Sequence, residues 1–283
     1  MSVSQPIRLS GRSVFRVSGP DARTLLQGLL TCDFDDIAPG RPQHGALLTP
    51  QGKILFEALV HEPAPGIYLF DTDAALAAEF VKRLMFYRLR AKVTIEPADE
   101  LAMIAVPGGS MDGLPDDPRL PALGARGILP VSDAEKFPAG DASYHAHRIA
   151  CGIAELGCDY PSGEIFPHEA NHDQLGGVDF QKGCFVGQEV VSRMQHRGTA
   201  RKRFVPAAID GQAPAMGTEV MAGEKPAGAM GSSEGQSGLA LLRLDRLEQA
   251  VTDGTPLICG EATLVARKPD WAQFDVPAAT LKA

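Results

Sequence analysis

The chain is 283 residues long, 44% hydrophobic and 22% charged, with 30 glycines and 22 prolines; this predicts two domains or one large one, a sizeable core and many turns. Its 27 Lys and Arg stand against 35 Asp and Glu, a formal charge of −8, which excludes a protein that coats nucleic acid through an overall basic field. No run approaches the roughly 18 consecutive apolar residues of a membrane-spanning helix, so neither a membrane nor a nucleic acid is expected as partner.

In chain order, Val14, Phe15 and Val17 run as a strand into Ser18-Gly19-Pro20-Asp21, where Asp21 is placed to cap a helix carrying Ala22, Leu25, Leu26, Leu29 and Leu30 on one face. Arg8, Arg12 and Arg16 precede the first acid, a superficial likeness to a transit peptide, but the strand that starts among them is the better reading. A turn at Pro50-Gln51-Gly52 separates two apolar runs of strand length, 46–49 and 54–60. A strand at 67–70 follows, then a helix opened by Asp73 through Leu76, Phe80, Val81 and Leu84. Strands are expected at 92–95 and 101–106, an exposed loop at 107–124, a strand at 128–131 and a helix around 143–153. Beyond Gly198 short strands at 203–209, 238–242 and 257–265 alternate with Gly and Pro clusters and a turn near 243–247, the texture of a small β-barrel or sandwich. The fold class is α+β, with an α+β region at 1–197 and a barrel at 198–283.

Five cysteines, Cys32, Cys151, Cys158, Cys184 and Cys259, are odd in number, scattered and without a C-x-x-C. They argue for a reducing compartment, so a cytoplasmic location is expected, and no structural metal. The most informative run is Gln181-Lys182-Gly183-Cys184-Phe185-Val186-Gly187-Gln188-Glu189-Val190-Val191-Ser192-Arg193. Two glycines bracket the cysteine, and a helix-competent stretch follows whose first amides would favour a thiolate. On spacing alone two readings stand: a working thiol, or a buried cysteine filling a hole beside Phe185. Downstream, Arg193, Arg197, Arg201, Lys202 and Arg203 form a basic strip, either facing an anion or blunting a solvated strand edge.

The run from Lys182 to Glu189, with Arg193 and Arg197-Gly198 after it, resembles the signature of the YgfZ family of folate-binding proteins implicated in making or repairing iron–sulfur clusters. The likeness extends to 163–171, where Pro167-His168-Glu169-Ala170 stands, and to 25–33 and 47–55. It covers roughly residues 9–203. That family is related to the T-protein of glycine cleavage, an aminomethyltransferase that uses tetrahydrofolate. The resemblance implies a split N-terminal α+β region, a ferredoxin-like insertion near 45–125 and a C-terminal β-barrel.

It also implies a reduced folate, such as tetrahydrofolate, as cofactor, with Glu169 accepting the side-by-side amine and ring N–H of the pterin. Tyr68 aligns with an aromatic that packs on the benzoyl ring, or is equally a core residue. Arg193 is assigned to the same ligand. Where the aminomethyltransferases carry an Asp-Asp pair this chain reads Phe56-Glu57, which removes one acid from the place where methylene transfer needs it; Glu57 remains a candidate folate contact. The function implied is a folate-binding factor for iron–sulfur assembly or repair with Cys184 as reactive thiol, its partners iron–sulfur clients or assembly proteins. The alternatives are a folate-dependent one-carbon transferase of the T-protein type and a docking module that binds through the basic strip.

Overall fold

The computed structural model describes residues 5–198 and 200–277. The chain divides into two compact units, Met1–Tyr144 with Leu175–Ser192, and His145–Gln174 with Arg193–Ala283.

The first unit contains β1 (Ile7–Leu9), β2 (Arg12–Ser18), α1 (Ala22–Leu29), β3 (Gln43–Leu48), β4 (Ile54–Ala64), β5 (Ile67–Asp73), α2 (Ala77–Arg88), β6 (Thr94–Pro97), β7 (Leu101–Pro107), β8 (Gly124–Pro130) and the short α3 (Val131–Ala134). A five-stranded sheet runs β3-β4-β5-β2-β6 and a three-stranded one β1-β7-β8, every pairing antiparallel. The strands of residues 45–125 therefore share both sheets with the first eighteen residues.

Alternation along the strands sorts the five-stranded sheet into two faces. One carries Phe15, Val17, Phe56, Ala58, Val60, Tyr68 and Phe70, packed with Leu26 and Leu29 of α1 and Phe80 and Leu84 of α2. Phe15 stacks on Phe70 and Phe56 on Phe80, both at 4.7 Å between centroids. A buried ring of this size contributes about 1.5–3 kcal/mol, so this aromatic cluster holds α2 firmly on the sheet. The opposite face carries Leu69 and, beside it, Asp71, whose carboxylate takes Arg12 at 2.6 Å and Arg126 at 2.6 Å. Asp21 does not cap α1 as its position suggested: its side chain accepts the N–H of Lys92 at 2.8 Å instead, and only its carbonyl enters the helix.

The chain passes from one unit to the other inside α4 (Asp141–Cys151), between Gln174 and Leu175, and inside α5 (Gln188–Arg197). The second unit adds β9 (Lys202–Asp210), β10 (Glu219–Ala222), β11 (Lys225–Glu234), β12 (Ser237–Arg243), α6 (Leu244–Asp253), β13 (Leu257–Cys259) and β14 (Ala262–Ala266). Its strands close into a barrel in the order β10-β11-β12-β9-β14-β13 around Val205, Ala207, Met230, Ala240, Leu242 and Leu264. The turn expected near 243–247 is a full helix, α6, which sends Leu247 and Ala250 into the barrel core and stops at Gly254, left-handed at φ 63°. The single strand expected at 257–265 is a hairpin, split at Gly260 with φ 58°.

Against β11, Arg148 and Asp159 form a fully buried pair at 2.6 Å. Asp159 also accepts the N–H of Glu155 and of Ser232, both at 2.8 Å, so this buried carboxylate is satisfied on several sides.

Candidate functional site

Three of the segments that stood out in the sequence converge in the first unit. Thr31 exchanges both backbone bonds around it: its N–H donates to Ala46 O at 3.0 Å and its carbonyl accepts from Asp179 N at 2.9 Å. Asp179 then takes the N–H groups of Gln181 and Lys182, at 2.6 and 2.9 Å, which turns the chain into the cysteine segment. The Lys182 ammonium is buried and donates to the carbonyls of Leu30, at 2.8 Å, and Cys32. Burial lowers its pKa from the ordinary lysine value, and the rings of Phe34 and Phe185 lie 6.0 and 5.7 Å from the charge.

The far end of the segment is held by glycines. Gly187 has φ 82°, and a Cβ there would stand 2.6 Å from Thr49 O and 3.0 Å from Gly52 Cα. Gly52 likewise has φ 82°, with Val190 and Gly187 O close by. Two backbones thus cross where no side chain fits between them.

Between these anchors Lys182 and Phe185 are buried, whereas Gly183 and Cys184 are exposed. The reading of Cys184 as a hole-filling core residue does not hold. The other thiols differ: Cys32 and Cys259 are buried, Cys151 and Cys158 partly so. Burial pushes the Cys32 thiol up to about 12 and raises that of Cys259. The helix that follows starts only at Gln188, four residues beyond the thiol, with Gln188 N bonded to Phe185 O at 3.2 Å. The arrangement leaves the Cys184 residue open to solvent while fixing the backbone on both sides of it.

Glu57 and Tyr68 are not brought together. Glu57 is buried on β4, on the face opposite Phe56, with His44 Nε2 3.9 Å from its carboxylate. Tyr68 points to the helix-covered face, 1% exposed and edge-on to Phe34 at 5.2 Å. Burial pushes its hydroxyl up to about 12. The transferases' first acid is replaced by a ring that belongs to the aromatic core, and the second is buried with His44 beside it. The sequence signal for His44 is a histidine in the apolar run that precedes the strand of Glu57 and pairs with it.

In the second unit Glu169 is half-buried. Its carbonyl accepts Phe204 N at 2.9 Å, its carboxylate takes the N–H of Phe166 at 2.8 Å, and Asn171, left-handed at φ 62°, donates to Phe204 O at 2.8 Å. Backbone and side chain are both fixed to β9 and its own turn. Arg193 is exposed on α5, as are His196 and Arg197.

Arg203 leaves the basic strip: it is buried and forks onto Asp173 with two bonds of 2.8 Å, under Phe274 at 4.4 Å. Burial works to raise the Asp173 pKa, but the Arg203 bonds outweigh it and hold it below the usual carboxylate value. A depressed folded pKa gives stability that is present above the unfolded value and is lost as pH falls through the folded one. The wild-type melting temperature should therefore drop below about pH 4 more steeply than that of Asp173→Asn, as scanning calorimetry across that range will show.

His145, Glu155 and Cys158 offer ligand atoms within 4.8 Å of one another. Arg148 already supplies a cation there, donating to His145 Nδ1 at 2.9 Å and lying 3.5 Å from Glu155. A metal would compete with it.

Residues 201–274 match the model of the CAF17 C-terminal beta-barrel domain. The glycine cleavage system aminomethyltransferase T of Bartonella henselae superposes with a TM-score of 0.70, over 97% of this chain and 87% of that one; at 15% identity this bears on the fold alone. The class is thus an aminomethyltransferase-like fold, α+β with a closed six-stranded C-terminal barrel. The sequence is 32% identical to the iron–sulfur cluster assembly factor IBA57, mitochondrial, of Mus musculus and 30% identical to that of Homo sapiens, over 93% of this chain and 84% of each relative. The chain belongs to the IBA57 family of iron–sulfur cluster assembly factors. Both relatives are named as mitochondrial, which overturns the cytoplasmic location expected from scattered cysteines: a reducing environment does not single out one compartment.

Proposed function

We propose that this protein serves the assembly of iron–sulfur proteins as a reduced-folate-binding factor, with Cys184 as the thiol that meets the assembly partner or client. The observation that carries the reading is the exposed Cys184 held between buried Lys182 and Phe185. The names of its IBA57 relatives supply the process. Deleting the gene and measuring [4Fe–4S] enzyme activity tests the process; unchanged activity in the deletion strain overturns it.

Glu169 is a half-buried acceptor whose plane is held by Phe166 N–H, and it fits the paired N–H groups of a pterin. In the same unit, exposed Arg193 suits the anionic glutamate tail. Tyr68, enclosed by Phe34 and its neighbours, serves the core in this reading. When bound, the folate would supply a one-carbon carrier; the chain's own residues hold and orient it.

Titration with tetrahydrofolate should show Glu169→Ala weaker by about 2–4 kcal/mol, the loss of a charge-assisted pair from a partly desolvated site. Equal affinity in two folded proteins removes Glu169 from the site. Phe56 in the aromatic core supports a binding role over methylene transfer, so no methylenetetrahydrofolate should form from an aminomethyl donor.

A further inference from the structure

Among the described residues five large apolar side chains are exposed, and three of them lie within five positions of one another: Met85 at 48%, Phe86 at 69% and Leu89 at 84%. They occupy the last turn of α2 and the residue that ends it. The other face of that helix holds Phe80 and Leu84 in the core, so the exposed residues are not needed to dock it. Leu89 has φ 46°, in the region that favours glycine. The chain keeps a large apolar side chain in water at a backbone position where glycine would be easier.

The surroundings are predominantly basic. Between residues 77 and 92 stand Lys82, Arg83, Arg88, Arg90 and Lys92 against the single acid Glu79, in a chain whose net charge is −8. Lys82, Arg83, Arg90 and Lys92 are exposed, and none is in an ion pair among the described residues. Phe56, Glu79, Lys82, Arg83 and Phe86 line a groove of about 280 Å³. An apolar seat beside two cations, next to a protruding leucine, is complementary to a bulky apolar side chain flanked by carboxylates.

We propose that the C-terminal turn of α2 is a docking surface for a partner protein, through a segment carrying a large apolar residue between aspartates or glutamates. A lipid surface is the poorer fit. Interfacial helices lay a continuous apolar face along the bilayer, whereas here the apolar face of α2 is inside the protein and only one turn protrudes. Cys184 plays no part in this surface, so the proposal fails or holds separately from the thiol reading.

The test places the photo-crosslinking residue p-benzoylphenylalanine at position 86 of the full chain, in cells, and sequences the adduct peptide by mass spectrometry. The expected result is an adduct to a protein segment with several Asp or Glu beside an apolar residue. It should fall at least tenfold in the double variant Lys82→Glu, Arg83→Glu and in Leu89→Gly, and persist in Cys184→Ala. Leu89→Gly should at the same time melt higher than wild type, which a structural role for this leucine would not produce. The surface is overturned by no adduct, by an adduct that survives charge reversal, or by one to a second copy of the chain. Co-flotation of the purified protein with phosphatidylglycerol vesicles, lost in the same double variant, overturns it in favour of a membrane.

Discussion

Cys184→Ala should leave the melting temperature and tetrahydrofolate affinity nearly unchanged, yet fail to restore [4Fe–4S] enzyme activity in a strain lacking the protein. Cys184→Ser should behave the same way, because serine keeps the size and loses the soft sulfur. The side chain is exposed, so its removal opens no cavity and exposes no partner. Alkylation of the folded protein should label Cys184 first. Cys32, buried and with its thiol pushed up to about 12, should be labelled only with unfolding. Full rescue by Cys184→Ala refutes the working thiol and leaves folate binding as the remaining site.

The second large effect concerns the two glycines of the same segment, which the spacing alone treats alike. Gly187→Ala should destabilise the protein by about 2–4 kcal/mol, since φ 82° disfavours any Cβ and this one would meet the carbonyl of Thr49 at 2.6 Å. That oxygen belongs to backbone and cannot swing aside. Gly183→Ala meets nothing within 4 Å and should stay within about 0.5 kcal/mol. Urea denaturation of the two variants decides; equal midpoints refute the crossing of Gly187 and Gly52 as the anchor of the loop.

Helix α1 was legible because Ala22, Leu26 and Leu29 recur at helical spacing and pack on one sheet. Strand β11 was hidden by its own glycines: at Gly228 a Cβ would lie 2.0 Å from Leu241 O, so the narrow barrel demands there a residue that reads as loop. In α6 the spacing of Leu244, Leu247, Ala250 and Val251 was present but lay between Gly-rich stretches, and the left-handed stop at Gly254 is itself one of those glycines. At the site, the residue types were readable and their directions were not. Glu57 and Tyr68 sit on opposite faces because of a pleat whose phase is set by Phe56 and Phe70 packing on α2 and β2. Arg203 reads as one cation of a strip because Asp173, which neutralises it, stands thirty positions earlier in the chain.

The barrel's closure limits how it can take part in assembly. Each of its six strands has a hydrogen-bonded neighbour on both sides, so it has no bare backbone edge to lend to a visiting peptide and no template for sheet-to-sheet association. In the first unit, β3 and β6 end the five-stranded sheet, and β6 is only four residues long and finishes at Pro97. Recruitment by strand addition is therefore closed to the barrel, and whatever it recognises during assembly must be read by its side chains.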